Sequence, residues 1–277
     1  LGRLGTCLAR AIHAANAANM GPLSVASARL ESAQRLAAEL GAHVHAVPMT
    51  AICDHARLLF LTVPDACVAE VCAQLPVTRA HAVVHSSGVL DRSALESARA
   101  RGAQSAVFHP LQAFAAGSPA SRFAGIHIGI EAEAALESEL TALASALGAT
   151  AFSLQGVDRA AYHAAAVFVS NYLVALHAAA ARVWQLAGLP AVAARAALTP
   201  LSHGALEAIA EHDLTAALTG PLQRADFATL ERHLQALAGD PHTERLYRAL
   251  AAELLRLPLA LDPDVRARLD RLIGQRS

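Results

Sequence analysis

The sequence predicts an α/β half followed by an all-α half, and three observations predict it. Short apolar runs of strand length alternate with helical patterns up to about residue 155. Polar, Gly or Pro residues close one of these strands after another. Beyond about residue 157 the strand signals stop, and only helical patterns with Gly and Pro between them remain. Strands apolar throughout are buried on both faces, as in a parallel sheet covered by helices. The carboxyl edge of such a sheet is where ligands bind. The expected domains are therefore residues 1–155 and 156–277.

The elements follow in order. Residues 4–18 carry an Ala/Leu helical pattern, and a Gly21-Pro22 turn leads into a short strand at 23–27. An amphipathic helix over 31–40 stops at Gly41, and 43–47 reads as a strand. The run 57–63 is a strand ended by Pro64-Asp65, with a helix over 66–75. Strand 81–85 ends at Ser86-Ser87-Gly88, helix 93–101 follows, and strand 105–108 ends at His109-Pro110. Strand 126–130, helix 131–147 and a last strand at 151–154 complete the first half. In the second half 159–187 is one long helical pattern ended by Gly188-Leu189-Pro190. Its apolar stretch 164–189 is long enough to raise a membrane span. It contains Ser170, Asn171, His177, Arg182 and Gln185, so a central buried helix is the expectation. Helices over 191–198, 200–211, 214–218, 226–238, 242–257 and 264–273 follow.

Composition narrows the function classes. The chain has 277 residues, 55% hydrophobic and 16% charged, enough for a large core. A net charge of −1 offers no footprint for nucleic acid or an anionic membrane. All 22 basic residues are Arg. The absence of Lys excludes a Schiff-base lysine, a Walker-type P-loop and a lysine general acid. Cys7, Cys53, Cys67 and Cys72 lack metal-ligand spacing and read as reduced core thiols; no metal site is expected. With no signal-peptide pattern, the expected compartment is the cytoplasm.

Gly2-Arg3-Leu4-Gly5 stands directly before the first helix. It reads as the second half of a G-x-G-x-x-G turn whose first glycine and strand would precede it. Such a turn brings backbone and a helix N-terminus to a pyrophosphate. The ribose position downstream reads Ser27-Ala28-Arg29, with no carboxylate. Ser27 and Arg29 suit a 2′-phosphate, which points to NADP, with NAD as the alternative. Thr62-Val63-Pro64-Asp65 closes a strand where the cofactor groove would run, and Asp65 also suits a helix cap. His85-Ser86-Ser87-Gly88 and His109-Pro110 close the next two strands. Farther on, His163 and Ser170 share a helix face, with Asn171 beside it. Thr219-Gly220-Pro221 makes a turn, and Asp226 is placed to cap the helix after it.

Taken together these motifs resemble a known family. They are the Gly-x-x-Gly opening, Thr62-Val63-Pro64-Asp65, His85-Ser86-Ser87-Gly88, and Phe108-His109-Pro110-Leu111-Gln112-Ala113-Phe114. Tyr162-His163 through Ser170-Asn171-Tyr172 and Thr219-Gly220-Pro221-Leu222-Gln223-Arg224-Ala225-Asp226 complete them. The sequence resembles the bacterial family of a Rossmann-like domain followed by the domain of unknown function DUF2520. That family looks like a branch of the group with a helical domain of the 6-phosphogluconate dehydrogenase type, which includes ketopantoate and pyrroline-5-carboxylate reductases. The resemblance implies an NAD(P)-binding sheet domain, a helical domain that forms a homodimer, and an active cleft between them. It implies a small-molecule substrate reduced by hydride, a carbonyl or imine, with a ketopantoate-like 2-oxo acid as a candidate. On this reading Gly2, Arg3, Leu4, Gly5, Ser27, Arg29, Val63, Pro64, Ser86 and Ser87 bind the cofactor. His163 donates the proton, Asn171 orients the substrate, and His109 lines the site. Ala225 stands where the family usually shows Gly. The better-known ketopantoate reductases use a catalytic Lys, so a different donor is needed here. The rival expectation is a non-catalytic dinucleotide-binding sensor or assembly protein.

Overall fold

The computed structural model describes residues 2–15, 22–41 and 43–274. The chain divides into two compact units, Leu1–Ser170 and Asn171–Ser277. In the first unit, strands and helices alternate as α1 (Arg3–Ala15), β1 (Leu23–Val25), α2 (Leu30–Leu40) and β2 (Val44–Ala46). They continue as α3 (Ile52–His55), β3 (Leu58–Leu61), α4 (Val68–Gln74), β4 (Ala82–His85), α5 (Glu96–Arg99) and β5 (Gln104–Pro110). β6 (His127–Glu131), α6 (Ala134–Ala146), β7 (Thr150–Ser153) and α7 (Arg159–Val169) close the unit. Gly21 of the expected Gly21-Pro22 turn and the end of the first helical pattern lie outside the described residues.

The strands form a parallel pair β1-β2 and a five-stranded sheet β3-β4-β5-β6-β7. Every pair is parallel except β5 with β6, which is antiparallel. β4 lies inside the larger sheet, and all four of its residues are buried. Its alternation sends Ala82 and Val84 to one face and Val83 to the other. The first face packs with Cys7 and Leu8 of α1 and Leu136 and Leu140 of α6. The second packs with Val68 and Cys72 of α4 and Ala98 of α5. A third small core holds Ala33 and Leu36 of α2 against Val25 and Val44. Helices on both faces are why these strands are apolar throughout.

The second unit is all helical: α8 (Asn171–Leu186), α9 (Ala191–Glu211), α10 (Leu214–Ala217), α11 (Phe227–Leu237), α12 (Pro241–Leu255) and α13 (Pro263–Ile273). Its core joins Leu230 of α11, Ala251 and Leu255 of α12, and Leu269 and Ile273 of α13. Asp226, Asp240 and Asp262 each cap the helix that follows. The cap on Asp226 is as the sequence predicts. Ala225 beside it is the one non-glycine residue at positive φ among those described, at 51°. That conformation is where glycine is at ease and alanine is not.

Two expectations are corrected. Pro200 does not divide two helices but sits inside α9. Its neighbours stay helical although it has no N–H to give the carbonyl one turn back. The stretch Arg159–Leu186 is not a central buried helix: 6% of its most apolar window is buried, although by length and composition alone it could cross a membrane. α8 buries only Ala179 and α9 only Ala194. Val174 is 71% exposed, Leu201 72% and Val192 90%. Within one chain nothing makes an apolar helix buried except a partner element, and the second unit does not supply enough of them.

Candidate functional site

The glycine opening forms the N-terminus of α1. Thr6 N–H donates to the Gly2 carbonyl at 3.0 Å. A Cβ added at Gly2 would lie 3.6 Å from the Thr62 carbonyl oxygen, so the turn sits against the end of β3. The two belong to one cavity of about 610 Å³. Its walls include Leu8, Ala9 and Ile12 of α1, all of β1, and all of β3. The cavity runs between β1 and β3, which belong to different sheets.

Of the expected cofactor residues, Gly2, Gly5, Ser27, Val63 and Pro64 line this cavity. Leu4 packs into the core beneath α1 instead. Arg3 and Arg29 are exposed and outside its lining. Ser86 and Ser87 belong to a second cluster, at the ends of β4 and β5.

That second cluster is built around Gly88. A Cβ there would lie 2.8 Å from His109 Nε2 and 2.8 Å from His163 Cδ2, so only glycine lets both imidazoles close on this backbone. His109 ends β5 and His163 comes from α7, whose first turn is capped by Asp158 through the Ala160 and Ala161 N–H groups. His109 Nδ1 lies 2.6 Å from the Tyr162 hydroxyl, with the rings edge-to-face. Burial, then the neighbouring His163 and Arg159, pushes the His109 pKa down to about 4. Burial pushes the Tyr162 phenol up to about 12. Both groups are therefore neutral near pH 7. A tyrosine hydroxyl donating to Nδ1 leaves the imidazole proton on Nε2, the atom beside Gly88.

Other expected residues prove to be engaged in structure. His85 is fully buried, accepts from Ser87 N–H at Nδ1 (3.2 Å) and so donates from Nε2 to the Asp91 carbonyl (3.0 Å). Burial lowers its pKa. The Ser87 hydroxyl accepts from Val89 and Leu90 N–H. Ser86 Oγ is buried with no hydrogen bond among the described residues. Asn171 opens α8 in the second unit.

The sequence reading missed Arg159. It is 8% exposed, donates to the Leu90 carbonyl at 3.1 Å, and lies 3.4 Å from Glu131, which Arg92 also approaches at 3.6 Å. Its Nε and Nη1 have no partner among the described residues. Burial lowers its pKa, opposed first by Glu131. An arginine next to a helix cap reads as a solvated side chain, so nothing in the sequence marked this one. Tyr162 was visible only as the neighbour of His163.

The fold and site define a Rossmann-type α/β unit with a loaded carboxyl edge, followed by a helical unit. Residues 126–254 match the family described as Domain of unknown function (DUF2520). A candidate NADP oxidoreductase from Bacteroides fragilis is 27% identical, with a TM-score of 0.71, over 90% of this chain and 93% of that one. A protein from Thermotoga maritima is 23% identical, with a TM-score of 0.72, over 96% and 97%. A reductive aminase from Aspergillus terreus, in complex with NADPH and ethyl-5-oxohexanoate, shares the fold at 18% identity and a TM-score of 0.60, over 98% and 96%. A search of the curated proteins found no match.

Proposed function

We propose that this protein is an NADP-dependent oxidoreductase that moves hydride between the nicotinamide and a small carbonyl or imine, with a ketopantoate-like 2-oxo acid as a candidate substrate. The observation that carries the reading is the sheet's carboxyl edge. It holds a glycine turn that opens a helix against the end of β3, and a pair of imidazoles closed over Gly88. The relatives of like fold named as an NADP oxidoreductase and a reductive aminase support it.

The residues fit such a cofactor. Gly2 and Gly5 admit backbone approach at the N-terminus of α1, where N–H groups face an anion. Ser27, at the ribose end of the cavity, has no carboxylate beside it to repel a 2′-phosphate, and Arg29 follows. Ser86 and Ser87 are assigned to the nicotinamide side. The bound nicotinamide would supply or accept the hydride. His109 and His163 supply hydrogen bonds and a proton at the reacting atoms, and Asn171 is assigned to orient the substrate. The four free cysteines fit a reducing cytoplasm. The exposed apolar surfaces of α8 and α9 fit a homodimer formed through the helical unit.

The test is NADPH binding by fluorescence, followed by NADPH oxidation over a panel of small 2-oxo acids and cyclic imines. Turnover of at least one, lowered 10²-fold or more by His163→Ala, is expected. Unchanged turnover would remove His163 as proton donor. Binding without turnover on any compound would favour a sensor.

A further inference from the structure

We propose that Tyr162 and His109 form a proton relay: His109 gives its Nε2 proton to the substrate oxygen while its Nδ1 takes the phenolic proton of Tyr162. The relay rests on the oxidoreductase reading; it moves the proton donor from His163 to His109, leaves His163 to hydrogen-bond the substrate, and narrows the substrate class to carbonyl compounds.

The geometry carries it. The Tyr162 hydroxyl and His109 Nδ1 are 2.6 Å apart, at the short end for an O–H···N contact. His109 Nε2 makes no hydrogen bond among the described residues and lies against the Gly88 backbone beside the His163 ring. Arg159 stands one turn before Tyr162 on α7, buried, with Nε and Nη1 unpaired among the described residues. A positive charge so placed favours a phenolate over a phenol.

The bookkeeping of bonds closes without another reactant. Addition of hydride to a carbonyl carbon leaves an electron pair and a negative charge on oxygen. The His109 Nε2–H bond breaks and the substrate O–H bond forms. The Tyr162 O–H bond breaks and an Nδ1–H bond forms. The imidazole stays neutral with its tautomer reversed, and the charge ends on the Tyr162 oxygen near Arg159. The direction is downhill: a phenol at about 12 is a stronger acid than an alcohol, whose pKa lies near the roughly 15.7 of water. An imidazolium could also donate, but a His109 at about 4 is scarcely protonated at neutral pH. An iminium already carries its proton and gains nothing from the relay. A carbonyl needs it.

The experiment has two arms. In ¹⁵N-histidine-labelled protein, long-range ¹H–¹⁵N spectra at pH 7, assigned with His109→Gln, should show His109 as the Nε2–H tautomer. Tyr162→Phe should turn it into a mixture. In the second arm, Tyr162→Phe should lower kcat for the best 2-oxo acid about 10²-fold, with NADPH affinity within twofold and reduction of a preformed cyclic iminium within threefold. A purely structural role would reduce both substrates alike. An Nδ1–H tautomer in the wild type, or equal losses on both substrates, or carbonyl turnover within threefold, overturns the relay while leaving the oxidoreductase reading intact. A wild-type chain that reduces imines but no carbonyl overturns the relay alone, and one that binds NADPH and reduces neither overturns both. The tautomer arm uses the wild-type chain, so it decides even if Tyr162→Phe fails to fold.

Discussion

The two units are equally rich in Ala, Leu and Val but spend them differently. In the first, β4 lies with Ala82, Val83 and Val84 fully buried, and a cluster of His85, His109, Tyr162 and Arg159 is pulled from water with them. In the second, α8 and α9 each bury a single alanine and present apolar side chains outward. The difference teaches that apolar composition does not fix burial. A strand within a sheet has two faces covered by its own unit, whereas a long helix needs neighbours all round. It also teaches where chemistry is available. Burial in the first unit perturbs titratable groups, and perturbed groups cluster at functional sites. The caps at Asp226 and Asp240 in the second unit are held by hydrogen bonds at half-buried aspartates instead.

Acid should separate the units most strongly. His109 has a folded pKa of about 4 against an ordinary 6.5, and burial lowers His85 in the same direction. A histidine depressed in the folded state binds fewer protons there than when unfolded. Its contribution is therefore fully present above about pH 6.5 and is lost as pH falls through about 4. For His109 this is on the order of 3 kcal/mol. Amide exchange in β4 and β5 should accelerate across that window. The sole tryptophan, Trp184 on α8, should report little change in the second unit's urea midpoint. Equal acid sensitivity in both units would break the comparison.

A smaller effect, of opposite sign, belongs to the second unit. Ala225→Gly should stabilise it by about 1 kcal/mol, since residue 225 holds a φ of 51° that alanine resists. Urea denaturation followed by Trp184 fluorescence measures it, and a loss of stability would show that the turn gains more from the methyl than the backbone loses.

The smallest effect on a single chain should come from Val192→Glu. Val192 is 90% exposed, so the substitution should move the monomer's unfolding free energy by less than about 0.5 kcal/mol. If α9 joins two copies, the same change should shift sedimentation from dimer to monomer. An unchanged species distribution would remove this part of α9 from the interface.

Much of the first unit was legible. Continuous apolar runs with polar closures gave β3, β4 and β5 and the edge they share, because a strand covered on both faces has no freedom to be polar. The antiparallel turn of β6 against β5 was not legible, since an apolar run carries no direction. The aspartate cap at Asp226 could be read because a cap is local, needing only a side chain and the next N–H groups, whereas Asp65 sits inside the turn before α4 and does not cap it. Pro200 misled, because a proline inside a long helix removes one hydrogen bond while the residues on either side carry the helix through. In the site, the glycine turn and the strand-end histidines stood out as residue types at strand ends. Arg159 did not.

By itself the sequence determined the order of elements, the two-part division of character, and which residues stand at the sheet's carboxyl edge. Periodicity, capping and turn chemistry are local, and the chain carries them wherever it goes. Only the tertiary structure decided that Tyr162, one position before the histidine that looked catalytic, reaches His109 fifty-three residues earlier. It alone also decided that Gly88 is where two imidazoles close, and that a buried arginine stands behind them. Those facts depend on a helix from one end of the unit settling over a sheet face from the other. Desolvation then made the groups neutral, and no local pattern records how much water a neighbour will exclude.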